Sequence, residues 1–184
     1  KEAAGADYTV GVDPNTLFEY PHVSARLADE LEPFGTVANF EDPVLKNNLD
    51  WYRMLREKTN IPIALHLQDP GAVLRAMKAE CVDFVNFSAT AQVVKQMAIV
   101  ADAADVPCWV QMGGLCLGVK AAYSTHVQAT IPNATLPCDE LPFVRIDDVL
   151  SGALVVEEGH FVLPEGPGLG VKLDMAVVEK YRVG

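Results

Sequence analysis

The segments VDPN, carrying Asp13 and Asn15, and FEDP, carrying Glu41 and Asp42, each close a short run of strand-forming residues. A third run, IPIALHL, brings His66 just ahead of Gln68 and Asp69. If these runs are neighbouring parallel strands about 4.8 Å apart, acids at their ends lie about 5 Å from one another, a span that one Mg2+ bridges. The same residues also have a plainer role open to them. Aspartate before proline often caps the following turn or helix, and a lone histidine at a strand end is commonly a packing residue.

The elements that would position these residues repeat as strand then helix. Strands are expected over 8–13, 36–41, 61–67, 84–88 and 108–112, and helices over 22–31, 49–58, 71–79 and 91–104. A fifth helix is expected to follow the Gly113–Gly114 turn and run through Ala129. Five such units in a row mean parallel strands joined by crossover helices, in either a doubly wound sheet or a barrel. No GxGxxG or GxxxxGK[ST] follows the first strand, so the usual nucleotide-binding open sheets lose support. Five units are too few to close an eight-stranded barrel. The opening KEAAGA reads as the tail of a helix, and further barrel units are expected before Lys1.

In a parallel α/β fold the site lies at the C-terminal ends of the strands, which puts Asp13, Asn15, Glu41, His66, Asn86, Ser88 and Gln111 in view. From Pro132 onward helical periodicity fades into a Pro- and Gly-rich tail that includes PEGPGLGVKLD. The expected division is therefore 1–131 as barrel units and 132–184 as a tail wrapping over the barrel or a neighbour.

Composition narrows the class of partner. Acidic residues outnumber basic ones, 25 to 14, without a Lys/Arg cluster, so there is no electrostatic footprint for nucleic acid. A chain with few cations that must hold an anionic substrate gains a positive centre most simply from a metal. Cys81, Cys108, Cys116 and Cys138 lack CxxC spacing and sit mostly in apolar stretches, which predicts reduced, buried thiols in a cytoplasmic protein. No apolar run is long enough for a membrane helix. With 184 residues, half of them hydrophobic, the chain can bury a substantial core.

VDPN and FEDP resemble the D-x-N and E-[ED]-P strand ends of the enolase superfamily, in its mandelate racemase and muconate lactonizing branch. NATLPCDELPF and PEGPGLGVKLD resemble the late part of those chains. The likeness runs in register from about the third barrel strand to the C-terminus. It implies an α/β fold, the last five or so β/α units of a (β/α)7β TIM-type barrel, with the capping domain and first strands outside this chain. It implies Asp13 and Glu41 as ligands of Mg2+, with Mn2+ or another divalent ion as alternatives. The family's shared step is removal of a proton α to a carboxylate, with the metal stabilising the enediolate.

The departures are as specific as the matches. Where the family expects a third acidic ligand, this chain has Leu67 with His66 beside it. His66 could supply the ligand, although imidazole favours softer metals than Mg2+; it could also act as base, and Asp69 is a further candidate ligand. Where the family places a Lys, or an Asp paired with a His, stand Asn86, Ser88 and Gln111, which orient a carboxylate but do not accept its proton at neutral pH. Trp51 and Trp109 read as packing residues, His22 and His126 as helix-surface residues, and His160 as part of the tail.

The expected function is a metal-dependent sugar-acid dehydratase, racemase or cycloisomerase. Asp13, Glu41 and His66 would hold the metal, His66 and Gln111 would act in catalysis, and Asn15, Asn86, Ser88 and Gln111 would contact the substrate. The neutral Asn/Ser/Gln set favours a polyhydroxylated acid. The alternative is a divergent relative serving as a binding or structural subunit. By analogy with the family a homo-oligomer is expected, with no nucleic acid or membrane partner.

Overall fold

The structure is a computed structural model that describes residues 8–112, 116–139 and 144–183. Contacts divide the chain into two compact units that meet between Cys108 and Trp109.

The first unit alternates β1 (Val10–Val12), α1 (Pro21–Leu31), β2 (Val37–Glu41), α2 (Leu49–Lys58), β3 (Ile63–Leu67), α3 (Pro70–Ala79), β4 (Phe84–Phe87) and α4 (Ala91–Asp102), and β5 (Cys108–Val110) begins at its last residue. The strands line up in the order β1-β2-β3-β4-β5, and β1 to β4 pair in parallel. A right-handed crossover helix between each pair of parallel strands curls such a sheet toward a barrel. The result is the partial TIM-type barrel that the family resemblance implied, one of the two arrangements the strand–helix repeat left open.

Why these residues form these elements follows from their spacing. β3 reads Ile-Ala-Leu-His-Leu and is buried throughout except at His66, as befits a strand covered on both faces. Helix α4 buries Val94, Met97, Ala98 and Ala101, a stripe at three- and four-residue spacing; α2 buries Tyr52 and Leu55, and α3 buries Val73 and Ala76. Each fully buried Val, Leu or Ile stabilises the fold by roughly 1.5–3 kcal/mol relative to exposure. Tyr52 is completely enclosed, and its hydroxyl donates to Val44 O at 2.8 Å, so no polar group is stranded. Asn48 caps α2 by accepting from Trp51 N, and Asp69 caps α3 by accepting from Ala72 N, with Pro70 pre-set for the first helical position.

In the second unit α5 (Gly118–Gln128) is followed by a two-stranded hairpin, β6 (Val156–Glu157) with β7 (His160–Phe161), and by α6 (Met175–Lys180). The hairpin turns through Glu158 and Gly159, both at positive φ, 49° and 81°. The PGLG segment folds against α5, where His126 Nε2 contacts Leu169 O at 3.2 Å. Gly170 is required there: at φ 68°, a Cβ would lie 2.8 Å from Pro164 and Glu165 backbone atoms.

Cys81 and Cys108 are free thiols in the buried core. Burial pushes the Cys108 thiol up to about 12 and that of Cys81 to about 11, which leaves both inert. Among the described residues no helix is long and apolar enough to cross a membrane. The expected helix tail at 1–6 and the Gly113–Gly114 turn lie outside the described residues.

Candidate metal and substrate site

Strand register selects the side chains that meet. Glu41 pairs with Ala64, Ala64 with Phe84, and His66 with Asn86. Because side chains alternate along a strand, Glu41, Ala64, His66 and Asn86 share one face, while Phe40, Leu65, Leu67, Val85 and Phe87 share the buried other. His66, and not Leu67, therefore stands on the face of the acids, with no shift of the strand.

Contacts bear this out. Asn86 Nδ2 donates to Glu41 Oε1 at 2.8 Å, passing over the small Ala64 side chain on the strand between them. His66 Nε2 lies 2.6 Å from Ser88 Oγ, and Gln68 Nε2 donates to the same hydroxyl at 3.1 Å. Ligand atoms of Glu41, Asp42 and His66 all lie within 4.8 Å of one another.

Asp42 is the structural hub of this group. It is 1 % exposed, and every polar group it has is used. Its N–H donates to Ala64 O at 3.1 Å and its carbonyl accepts from Thr16 N at 2.9 Å. Its Oδ1 accepts from His66 N at 3.0 Å, and its Oδ2 pairs with Lys46 Nζ at 2.5 Å. The left-handed φ of 43° costs of order 1 kcal/mol for a non-glycine, and these bonds hold it there. Burial raises the Asp42 carboxyl above its ordinary value, against the opposing pull of Lys46 and the His66 amide. Asp42 thus ties the ends of β1, β2 and β3 together, with both its oxygens committed.

Lys46 was not singled out by sequence reasoning. Its place four residues after Asp42 was the signal, and besides the ion pair it donates to His66 O at 3.2 Å. It brings a cation to the rim of an acidic site.

Asp13 follows β1 and is exposed. Both its oxygens are met by Asn15, from the backbone N at 2.8 Å and from Nδ2 at 2.8 Å. Desolvation by the surrounding protein raises its carboxyl, and the charge of Asp42 adds to the rise. Lys46 and His66 act in the opposite sense, so Asp13 lies within electrostatic reach of the cluster. Asn15 itself sits in the left-handed region at φ 50°. Asp69 is committed to capping α3. Gln111 is half-buried just after β5, in the second unit.

The donor set fits a divalent cation. Glu41 and His66 bring a carboxylate and an imidazole together at adjacent strand ends beside the committed Asp42, and the buried Asn86 Oδ1 accepts no hydrogen bond among the described residues.

The model of the enolase C-terminal domain-like family matches residues 1–177. The chain belongs to that family. Among enolase C-terminal domain-like proteins, a chloromuconate cycloisomerase of Pseudomonas putida is 29 % identical over 183 residues, covering 94 % of this chain and 48 % of its own length. A D-xylonate dehydratase of Haloferax volcanii is 28 % identical over 165 residues, covering 86 % and 39 %. The crystal structure of 2-chloromuconate cycloisomerase from Rhodococcus opacus superposes with a TM-score of 0.88 at 26 % identity, covering 98 % of this chain and 51 % of that one. A Bradyrhizobium enolase complexed with magnesium and mandelic acid gives 0.80 at 25 %, covering 100 % and 49 %. The chain spans about half the length of the curated relatives it matches. Its homologues are cycloisomerases, dehydratases and racemases.

Proposed function

We propose that this chain carries the cation-binding residues of an enzyme that removes the proton α to a substrate carboxylate. A sugar-acid dehydratase, racemase or cycloisomerase is the class of activity meant. One observation carries the reading: register places Glu41, His66 and Asn86 on one face of the sheet, beside the Asp13 strand end, in a chain of this family.

Asp13 and Glu41 would hold the metal, Mg2+ or Mn2+, with His66 as third ligand or as base. When bound, the cation supplies the positive charge that neutralises a substrate carboxylate and acidifies its α-proton. The chain's own residues do the rest. Asn86 orients Glu41 through its 2.8 Å hydrogen bond. Asp42 holds the His66 backbone in place. Ser88 and Gln68 form a polar pair beside the imidazole, suited to substrate hydroxyls, and Asn15 and Gln111 are proposed as further substrate contacts. His66 is the side chain of this group that can take up a proton near neutral pH. An acidic protein of this kind would act on small carboxylates, as a soluble cytoplasmic homo-oligomer.

A second reading, a binding or structural subunit that no longer abstracts the proton, is favoured by one observation. β4 carries Asn86 and is followed by Ser88, and neither accepts a proton at neutral pH.

Calorimetric titration of the intact protein with Mg2+ and Mn2+, beside Asp13→Ala and Glu41→Ala, tests the site. Stoichiometric binding lost in both variants, with α-proton exchange into sugar acids in D2O, supports the enzyme. Binding without exchange favours the second reading, and no binding by the unaltered protein removes the first and leaves the second.

A further inference from the structure

Asn86 is 2 % exposed, yet its two polar ends are treated differently. Its Nδ2 donates to Glu41 Oε1, while its Oδ1 is sealed from solvent and accepts nothing among the described residues. Turning the carboxamide over would not help, because its oxygen would then face a carboxylate oxygen. A buried carbonyl left without a donor costs about 1–3 kcal/mol, and Asn86 stands between Glu41, which its Nδ2 meets, and His66, its register partner.

We propose that Asn86 Oδ1 is itself a ligand of the divalent cation, a neutral oxygen completing the set begun by Asp13 and Glu41. This rests on the metal reading above and deepens it, since it assigns the ligand that the strand carrying His66 and Leu67 does not supply as an acid.

Charge balance points the same way. Asp42 is neutralised by Lys46 at 2.5 Å and is not available to offset a cation. Asp13 and Glu41 together match a dication. A third carboxylate would leave a net negative charge in a partly desolvated site, whereas a carboxamide oxygen adds a hard donor and no charge. The Glu41 contact also fixes the carboxamide plane, so that the oxygen is oriented before any ion arrives.

The test is a crystal structure of the intact protein loaded with Mn2+, read from the anomalous signal of the ion, together with Mn2+ calorimetry on Asn86→Ala. The expected result is an anomalous peak within about 2.4 Å of Asn86 Oδ1 and a loss of Mn2+ affinity of at least tenfold in the variant. A peak bonded to Asp13 and Glu41 with Asn86 Oδ1 outside that distance overturns this inference and leaves the proposed function standing. Absence of stoichiometric Mn2+ binding by the unaltered protein overturns both. The peak position needs no variant, so misfolding of Asn86→Ala does not blur the outcome.

Discussion

His66 Nε2 and Ser88 Oγ lie 2.6 Å apart, so the imidazole on β3 is held by the residue that follows β4. That contact fixes one ring nitrogen, and Gln68 braces the hydroxyl from the other side.

Removing that brace is expected to act on turnover more than on folding. Ser88→Ala should lower kcat by about 10- to 100-fold if His66 moves the proton, with the unfolding midpoint little changed. Steady-state kinetics beside thermal melts checks this; an unaltered kcat would show that the imidazole needs no such support.

A nitrogen donor also leaves a signature in metal preference. With His66 in the ligand set, Mn2+ should bind about tenfold or more tightly than Mg2+, and His66→Ala should narrow that gap. Competitive titration with the two ions decides it.

Asp42→Ala is expected to destabilise the first unit by about 1–3 kcal/mol, because it orphans the His66 amide and releases the left-handed turn. Asp42→Asn, which can still accept from that amide, should lose less. Urea denaturation of both variants measures the difference.

Gly118 opens α5 with its N–H between the two Asp148 oxygens, at 3.1 and 2.9 Å. A Cβ there would stand 2.6 Å from Leu150 Cδ1. Gly118→Ala should therefore cost about 1–3 kcal/mol through overpacking, seen as earlier unfolding of the second unit.

The anchor of α6 should respond to pH at both extremes. Lys180, then Tyr181, hydrogen-bond the surface carboxylate of Asp147 and hold it below its ordinary value of 3.8, while Asp147 raises Lys180 above 10.5. A depressed acid stabilises the fold above its unfolded value and loses that contribution as pH falls through the folded one. A raised base stabilises below its unfolded value and loses that contribution as pH rises through the folded one. Amide exchange in α6 should thus show least opening between about pH 4 and 10, once corrected for intrinsic rates.

Much of this architecture was legible in the residues alone. Helix α2 was expected over 49–58 and is found as Leu49–Lys58, because apolar spacing and flanking turn residues are local signals. The acids at Asp13 and Glu41 could be placed at strand ends for the same reason. The hairpin β6–β7 and helix α6 went unseen: strands of two residues and a helix of six are too short to express a period.

Pairing across strands is another matter, since a one-residue slip reverses every side chain. The sequence put Leu67 at the expected ligand position with His66 beside it, and only the β2–β3–β4 register turned His66 toward Glu41 and Leu67 into the core. It offered Asp42 as one more strand-end acid, and only the fold closed it onto Lys46 and the His66 amide. Local periodicity determined the elements and the chemistry available at their ends. The contacts of Asn86 with Glu41 and of His66 with Ser88 join residues 45 and 22 positions apart, and such distances are set by packing.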